Sequence, residues 1–199
     1  MAVAFVGLTG GMGAGKSTAL RALQRLGAAV LSADTVVHEL YAGSELRDAV
    51  VARWGPEVAP DGQVDRAAVA RRAFADDDER RWLEGQIWPR VGERIAAFRA
   101  DQEGRDAPPP AVVVEVPMLF EAGMEGGFDA TIAVVADEAV RAGRAAGRGH
   151  AAIDERAAAQ LSQAEKAQRA TFAVPNNAGE AELEHALGGV LDALAPPAS

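Results

Sequence analysis

The sequence predicts an α/β protein in which a parallel sheet is flanked by helices, with a helical insertion and a short helical lid. Three features of the 199-residue chain support this prediction. Short apolar runs, several of them rich in valine, have the length and composition of buried parallel strands. Segments with apolar residues at helical spacing alternate with these runs, as in sheets covered by helices on both faces. A glycine-rich loop at residues 7–18 separates the first run from the first helical segment.

That loop reads GLTGGMGAGKST. It matches the pattern G-x-x-x-x-G-K-[ST], with Gly10, Gly15, Lys16 and Ser17 at the required spacing. In such a P-loop the main-chain N–H groups point at phosphate oxygens, the lysine reaches the β- and γ-phosphates, and the hydroxyl helps to hold Mg²⁺. The run AVAFVGL before it predicts a strand, and KSTALRALQRLG after it predicts a helix that ends at Gly27. This arrangement predicts a nucleoside triphosphate at a helix amino terminus.

The next elements are a strand and a long helical stretch. The run AAVLSAD at residues 28–34 predicts a second parallel strand after a short connection. From there to about residue 106 the pattern is helical, with SELRDAVVARWG starting at a capping serine, a turn at DGQ, and Pro89 interrupting the longest segment. The large aromatic residues of this stretch are predicted mainly as core, with Trp88 also a candidate for a cleft wall. These residues are Trp54, Phe74, Trp82, Trp88 and Phe98.

Three further strands are predicted at AVVVEV, ATIAVVA and TFAV. A helix is expected at 137–146, where it meets the glycine-broken, arginine-rich RAGRAAGRGH, and another helix is expected at 152–168. Asn177 with Glu180 predicts a capping box for the last helix. The predicted buried residues of that helix are Leu183, Leu187, Val190, Leu191 and Leu194.

The order of elements predicts three parts. Residues 1–35, 109–136 and 170–199 form the nucleotide-binding core of a P-loop NTPase-type fold. Residues 36–106 form a helical insertion for the acceptor, and residues 137–168 form a lid. In an open α/β sheet both insertions would overhang the carboxyl ends of the strands, where ligands bind. This organisation favours an enzyme with two substrates.

Composition excludes several other classes. The chain has no cysteine, which excludes disulfides, thiolate metal sites and cysteine nucleophiles. No run reaches the roughly 18 apolar residues of a membrane span, so a cytoplasmic protein without a membrane partner is expected. The net charge of −9 argues against nucleic acid as the main partner. Small-molecule substrates are therefore expected, and a monomer is favoured.

Candidate chemistry beyond the loop rests on four charged residues. Asp34 follows the second predicted strand, and could orient an acceptor hydroxyl and take its proton, or only cap the helix TVVHEL. Arg144 and Arg148 lie one helical turn apart, and could supply cations to the transferring phosphoryl group or form a solvated basic face. Glu115 ends a predicted strand, where it could hold the magnesium shell through water or be an ordinary strand-end acid.

The motifs GLTGGMGAGKST, SAD, VPMLFEAG, AQLSQAEK and NNAG, in this order over nearly the whole chain, resemble those of dephospho-CoA kinases. The resemblance implies Mg²⁺-dependent transfer of the ATP γ-phosphate to the ribose 3′-hydroxyl of dephospho-CoA. The catalytic residues that it implies are Lys16, Asp34, Arg144 and Arg148. The residues expected at ATP are Gly11, Gly13, Ala14, Gly15, Lys16, Ser17, Thr18 and Asn176, the last beside the adenine. The residues expected at the acceptor are Thr9, Asp34, Arg66, Phe74, Trp88, Pro117, Leu119 and Glu121.

The chain departs from the usual family pattern at four places. Ser32 stands where the family often has aspartate, Trp88 where it has histidine, and Thr171 where aspartate is usual. Gly149 follows Arg148 in place of an Arg-Asp pair.

Two rival functions remain open from sequence. One is another small-molecule P-loop kinase acting on a nucleoside, nucleotide or sugar acid. The other is a GTPase-like switch or non-catalytic nucleotide-binding module. Guanine-specific switches generally carry Asn-Lys-x-Asp, and the only lysines here are Lys16 and Lys166, neither in that motif.

Overall fold

The computed structural model describes residues 3–145 and 160–195. The chain divides into two compact units, one formed by Met1–Leu31 with Arg99–Ser199 and the other by Ser32–Phe98. The assignment of separate parts to nucleotide, acceptor and lid stays a prediction.

A five-stranded sheet confirms the predicted fold class. Its order is β2-β3-β1-β4-β5, so β1 is central. The strand β1 pairs in parallel with β3 and β4, with Val6 opposite Val113 and Ala130, and β4 pairs in parallel with β5. The strands are β1 (Ala4–Gly10), β2 (Ala29–Ser32), β3 (Ala111–Glu115), β4 (Ala130–Val135) and β5 (Phe172–Pro175).

Helices alternate with the strands along the chain and form most of the second unit. A short 3₁₀ turn at Pro56–Val58 lies between two of these helices, and another at Glu125–Gly127 lies between β3 and β4. In chain order the described helices are α1 (Lys16–Arg25), α2 (Ala33–Ala42), α3 (Ser44–Trp54), α4 (Arg66–Ala73), α5 (Asp77–Glu103), α6 (Glu138–Ala145), α7 (Gln163–Arg169) and α8 (Glu180–Leu194). None of these helices is long and apolar enough to cross a membrane.

The core of the first unit lies where α1 and α8 cover the central strands. Leu8 of β1, Leu23 of α1 and Leu187 of α8 are completely buried there. Burying such a side chain contributes roughly 1.5–3 kcal/mol. Four of the five residues predicted to be buried on α8 are buried, and Leu194 packs against the cluster partly exposed. The phosphate loop therefore joins two elements that the core holds firmly.

Two predicted element ends are wrong. The strand β2 stops at Ser32, because Ala33 and Asp34 already belong to α2. Asp34 is thus in the first turn of α2, and Ser32 is its amino-terminal cap residue. Ser44 is the first helical residue of α3 and caps nothing, since Gly43 precedes the helix. Propensity alone places such ends only to within a few residues.

Pro89 does not interrupt the long helix as predicted. It lies inside α5, which is continuous over 27 residues. A proline there removes the hydrogen bond to the carbonyl of residue 85 and crowds that carbonyl. Both Gly85 and Pro89 are exposed, so the freed carbonyl faces water. The helix tolerates the proline for this reason.

The capping box predicted for the last helix is also wrong. Gly179 is the cap residue of α8 and makes no side-chain cap bond. The Oδ1 atom of Asn177 instead accepts a hydrogen bond from the N–H of Asp137 at 2.7 Å. The capping box that does form belongs to α7: the N–H of Glu165 donates to Ser162 Oγ at 3.2 Å, and the N–H of Ser162 donates to Glu165 at 2.8 Å. The helix predicted at 152–168 begins at 163 in its described part, since residues 160–162 are not helical.

The aromatic residues of the second unit divide into two groups. Trp54 and Trp82 are half-buried and meet edge to face, with ring centroids 5.0 Å apart, and Phe98 is half-buried too. Phe74 and Trp88 are 78% and 55% exposed. The prediction that these last two lie in the core is wrong, and both side chains stand open to ligands or water.

Candidate active site

The glycine-rich loop connects the central strand β1 to α1. Gly13 and Gly15 have φ angles of 74° and 94°, in the left-handed region that favours glycine. A Cβ on Gly15 would overlap the Nδ2 atom of Asn176, and one on Gly13 would lie 2.9 Å from the carbonyl oxygen of Arg141. The absence of side chains at these two glycines therefore also allows Asn176 and Arg141 to approach the loop closely.

The amino terminus of α1 provides the positive end of a helix dipole. Lys16 and Ser17 are its first residues, and its first turn has no acidic side chain. Unpaired N–H groups and the dipole at such an end favour an anion, here the phosphates of a nucleotide. The local structure thus agrees with the predicted triphosphate site.

Among the described residues, three side chains donate hydrogen bonds to carbonyl groups of the loop. Only one of them, Lys16, belongs to the P-loop motif itself. The bonds run from Lys16 Nζ to Gly10 (3.0 Å) and Gly11 (3.3 Å), from Arg141 Nε to Met12 (2.8 Å), and from Asn176 Nδ2 to Ala14 (2.8 Å).

Arg144 of α6 lies beside the loop. Its Nη1 atom donates to the main-chain oxygen of Asn176 at 3.1 Å. The same Nη1 would be 3.5 Å from a Cβ on Gly15. Arg144, Asn176 and the loop are therefore brought together, and their contacts with ATP stay predictions. Arg148 lies outside the described residues.

Gln163 ties the start of α7 to the end of β4. Its side-chain amide forms two bonds with Ala136, accepting from the N–H at 2.9 Å and donating to the carbonyl at 2.8 Å. A Cβ on Gly11 would lie 2.9 Å from Gln163 Cγ. Sequence reasoning missed Gln163 and also Arg141. The signal for Arg141 was present, because it lies three residues before Arg144 on one helix.

A buried ion pair underlies the loop that follows β3. Lys166 is completely buried, and its Nζ lies 3.0 Å from Glu121 Oε1. Lys166 Nζ also donates a hydrogen bond to the carbonyl of Pro117 at 2.7 Å. Thr9 Oγ1 donates to the same carbonyl at 3.1 Å. The N–H of Leu161 donates to the same oxygen of Glu121 at 2.8 Å. The other oxygen, Oε2, is buried without a hydrogen-bond partner among the described residues.

These contacts locate the predicted acceptor residues of the first unit. Thr9 and Leu119 are completely buried, and Glu121 is nearly so. Pro117 is half-buried. Their predicted contacts with an acceptor stay predictions, while the structure shows them holding the loop after β3.

The remaining predicted acceptor residues belong to the unit of residues 32–98. Asp34 is exposed, and no described residue forms a hydrogen bond or ion pair with its side chain. Arg66, the first residue of α4, lies 2.9 Å from His38 Nδ1, and its guanidinium sits 5.3 Å from the ring centroid of Tyr41. Burial raises the pKa of Tyr41, and Arg66 opposes this shift. This unit thus presents an unshared carboxylate, a cation and the exposed aromatic residues.

The residues expected at Mg²⁺ have suitable donor atoms. Ser17 is exposed at the start of α1, and Glu115 is 7% exposed at the end of β3. Hydroxyl and carboxylate oxygens are the ligands that Mg²⁺ prefers. Within the described ranges, no cluster of three or more His, Asp or Glu side chains offers an all-protein metal site.

Fold and site together define the class of protein. A central parallel strand leads into a phosphate loop, the loop carries its lysine, and an arginine lies against it. These are parts of a P-loop phosphotransferase.

Comparison with known proteins narrows the class to a family. The family model of dephospho-CoA kinase (CoaE) matches residues 4–182. A dephospho-CoA kinase of Moorella thermoacetica is 40% identical over 186 residues, covering 91% of this chain and 87% of the relative. One of Deinococcus radiodurans is 40% identical over 195 residues, covering 94% and 89%. The chain therefore belongs to the dephospho-CoA kinase family, which confirms the resemblance seen in its motifs.

Two solved structures share the fold. The crystal structure of TT1252 from Thermus thermophilus has a TM-score of 0.81 at 32% identity, covering 98% of this chain and 100% of its own. Dephospho-CoA kinase from Campylobacter jejuni has a TM-score of 0.64 at 18% identity, covering 96% and 97%. The second likeness supports the fold alone.

Proposed function

We propose that this chain transfers the γ-phosphate of ATP to the ribose 3′-hydroxyl of dephospho-CoA, giving coenzyme A and ADP. One observation carries the proposal: a complete phosphate loop stands in a chain whose residues 4–182 match the dephospho-CoA kinase family. The loop accounts for the donor, and the family accounts for the acceptor.

The nucleotide side of the reaction uses the loop and its neighbours. Main-chain N–H groups at the start of α1 bind the phosphates. Lys16 leaves the carbonyls of Gly10 and Gly11 and reaches the β- and γ-phosphates. Arg144 neutralises charge that develops on the transferring group. Its place beside Gly15 supports this role.

Mg²⁺ belongs to the same site in this proposal. Ser17 would hold it through the hydroxyl, and Glu115 through its water shell. When bound, the ion neutralises charge on the β- and γ-phosphates. Glu115 lies opposite Leu8 of β1, the strand that leads into the phosphate loop, and this position supports the assignment.

Asp34 is the proposed base. The 3′-hydroxyl oxygen bonds to the γ-phosphorus while the bond from that phosphorus to the β–γ bridging oxygen breaks, and ADP leaves. The hydroxyl proton passes to the Asp34 carboxylate. An exposed carboxylate that no described side chain engages is available for this proton. Arg66, Phe74 and Trp88, in the same unit, are the proposed contacts for the rest of the acceptor.

Acceptor-dependent ADP release tests the proposed function. The purified chain is given ATP, Mg²⁺ and one acceptor at a time: dephospho-CoA, a nucleoside, a nucleoside monophosphate or a sugar acid. We expect dephospho-CoA to give the highest kcat/KM, and ³¹P NMR to place the new phosphate on the ribose 3′-oxygen. A higher kcat/KM with a nucleoside monophosphate would replace this function with the rival small-molecule kinase.

A further inference from the structure

Arg141 contacts the phosphate loop without belonging to its motif. It lies in the first half of α6, and its side chain is 24% exposed. Its Nε donates to the carbonyl oxygen of Met12 at 2.8 Å, and its Nη1 pairs with Glu138 at 2.6 Å. Because the Glu138 side chain is 81% exposed, this ion pair adds little. The bond to Met12 is therefore the distinctive contact of Arg141.

The geometry of a phosphate loop explains why that contact matters. When successive N–H groups converge on an anion, the intervening carbonyls turn outward and need donors of their own. Among the described residues, the side-chain donors to the loop carbonyls are Lys16, Arg141 and Asn176, and the N–H of Ala14 also donates to the Gly11 carbonyl at 3.2 Å. Lys16 exchanges its carbonyls for phosphate oxygens when ATP binds. Arg141 and Asn176 then remain to hold the loop from outside.

Packing around the loop points to the same role. A Cβ on Gly13 would lie 2.9 Å from the carbonyl oxygen of Arg141 and 3.3 Å from its Cα. The first half of α6 therefore packs closely against the loop. A Cβ on Gly11 would lie 3.6 Å from Arg141 Nη2, an atom that forms no hydrogen bond with any described residue. Arg141 thus spans the outer side of the loop from Met12 towards Gly11.

We propose that Arg141 is a positioning residue that holds the Met12 carbonyl outward, so that the neighbouring N–H groups face the triphosphate. This inference rests on the proposed function, since it takes the loop as the ATP site. The residue acts through the loop and does not touch the reacting atoms. Its loss therefore weakens ATP binding and leaves the acceptor side unchanged.

The test compares two uncharged side chains of similar size. Arg141→Gln keeps an N–H donor within reach of the Met12 carbonyl, whereas Arg141→Met has none. We expect Arg141→Met to raise the KM for ATP about tenfold, with kcat within about threefold and the KM for dephospho-CoA unchanged, because a hydrogen bond from a charged donor is lost. Arg141→Gln should recover most of the ATP affinity.

A matched control is Arg81→Met. Arg81 forms the same kind of i,i+3 ion pair, with Asp78 on α5, and it makes no hydrogen bond to the loop among the described residues. We expect wild-type kinetics from this variant. The thermal midpoint of each variant is measured alongside, so that a folding defect is separated from a binding defect.

Two outcomes overturn the role of Arg141. One is an ATP KM for Arg141→Met within twofold of the wild-type value. The other is an equal tenfold rise of the ATP KM in Arg141→Gln, which would assign the effect to the charge instead of the hydrogen bond. This second outcome can still be measured if Arg141→Met does not fold. Titration with a non-hydrolysable ATP analogue gives the same comparison without turnover. A wild-type protein that binds the analogue yet does not phosphorylate dephospho-CoA would contradict the proposed function alone.

Discussion

Asn176 shows how the site is assembled at the scale of single residues. Its Nδ2 donates to Ala14, its main-chain oxygen accepts from Arg144, and its own N–H donates to Val135 at 2.7 Å. The sequence predicted this residue at the adenine, and that contact stays a prediction. The structure adds that Asn176 links the end of β4, Arg144 of α6 and the phosphate loop.

At the same scale, Asp34→Asn tests the proposed base. We expect turnover to fall by about 10²–10⁴, since the amide cannot accept the proton, while ATP binding stays within about threefold. The measurements are acceptor-dependent ADP release and titration with an ATP analogue. Glu39→Gln, at another exposed acid of α2, is the control and should leave turnover unchanged. Normal turnover in Asp34→Asn would show that the carboxylate is not the base.

The pair of Lys166 and Glu121 gives a prediction about stability. Removing one partner of a buried ion pair leaves the other charge uncompensated, which typically costs about 3–5 kcal/mol. We therefore expect Lys166→Met to lower the free energy of unfolding strongly, as measured by urea denaturation. The double variant Lys166→Met/Glu121→Gln should recover a large part of the loss, because no buried charge remains. Equal losses in the single and double variants would contradict this account.

At the scale of elements, the ends of helices depend on local bonds that the residue pattern does not settle. Ser44 and Ser162 both precede an acidic residue on a helical segment, yet only Ser162 forms a capping box. The pattern S-x-x-E at 162–165 was readable in the sequence. At Ser44 the preceding glycine takes the cap position instead.

Alanine substitutions at these two serines test the difference. Ser162→Ala should cost about 1 kcal/mol through loss of the cap, or roughly 2–4 °C in thermal midpoint for a chain of this size. Ser44→Ala should lie within about 0.5 kcal/mol of the wild type, because its side chain caps nothing. Calorimetry of the two variants measures both. A larger effect at Ser44 would show that the assigned helix start is wrong.

A link between α3 and α5 makes stability depend on pH. Hydrogen bonds from Arg53 and then from Trp54 hold the pKa of Glu79 below its ordinary value of 4.5. A carboxyl group with a lowered pKa in the folded state stabilises the fold above its unfolded pKa, and this contribution disappears as the pH falls through the folded pKa. Glu79→Gln should therefore reduce the loss of stability between about pH 5 and pH 3. Unfolding midpoints across this range, compared with those of Glu84→Gln at a half-exposed acid of α5, measure the effect.

At the scale of the whole molecule, nucleotide binding couples the loop to stability. A ligand that binds only the folded state stabilises it by about 2.7 kcal/mol at a hundred times its Kd. We expect ATP with Mg²⁺ to raise the thermal midpoint of the wild type. Lys16→Ala should lose most of this increase, measured from the variant's own midpoint without ligand. An unchanged ATP response in that variant would place the nucleotide elsewhere.

The sequence by itself determined the presence of a parallel sheet, the order of strands and helices along the chain, and the phosphate loop. These depend on patterns that are local in the chain: runs of apolar residues, glycine at fixed spacing, and one lysine before a helix. Family membership followed from motifs of the same local kind.

Only the tertiary structure decided which side chains surround the loop. Arg141, Gln163 and Asn176 reach it from segments more than 120 residues away in the chain, and no local pattern records such a contact. The burial of Lys166 against Glu121 and the exposure of Phe74 and Trp88 were decided in the same way. The physical reason is that burial and long-range hydrogen bonds depend on how elements pack, whereas periodicity records only the conformation of each element.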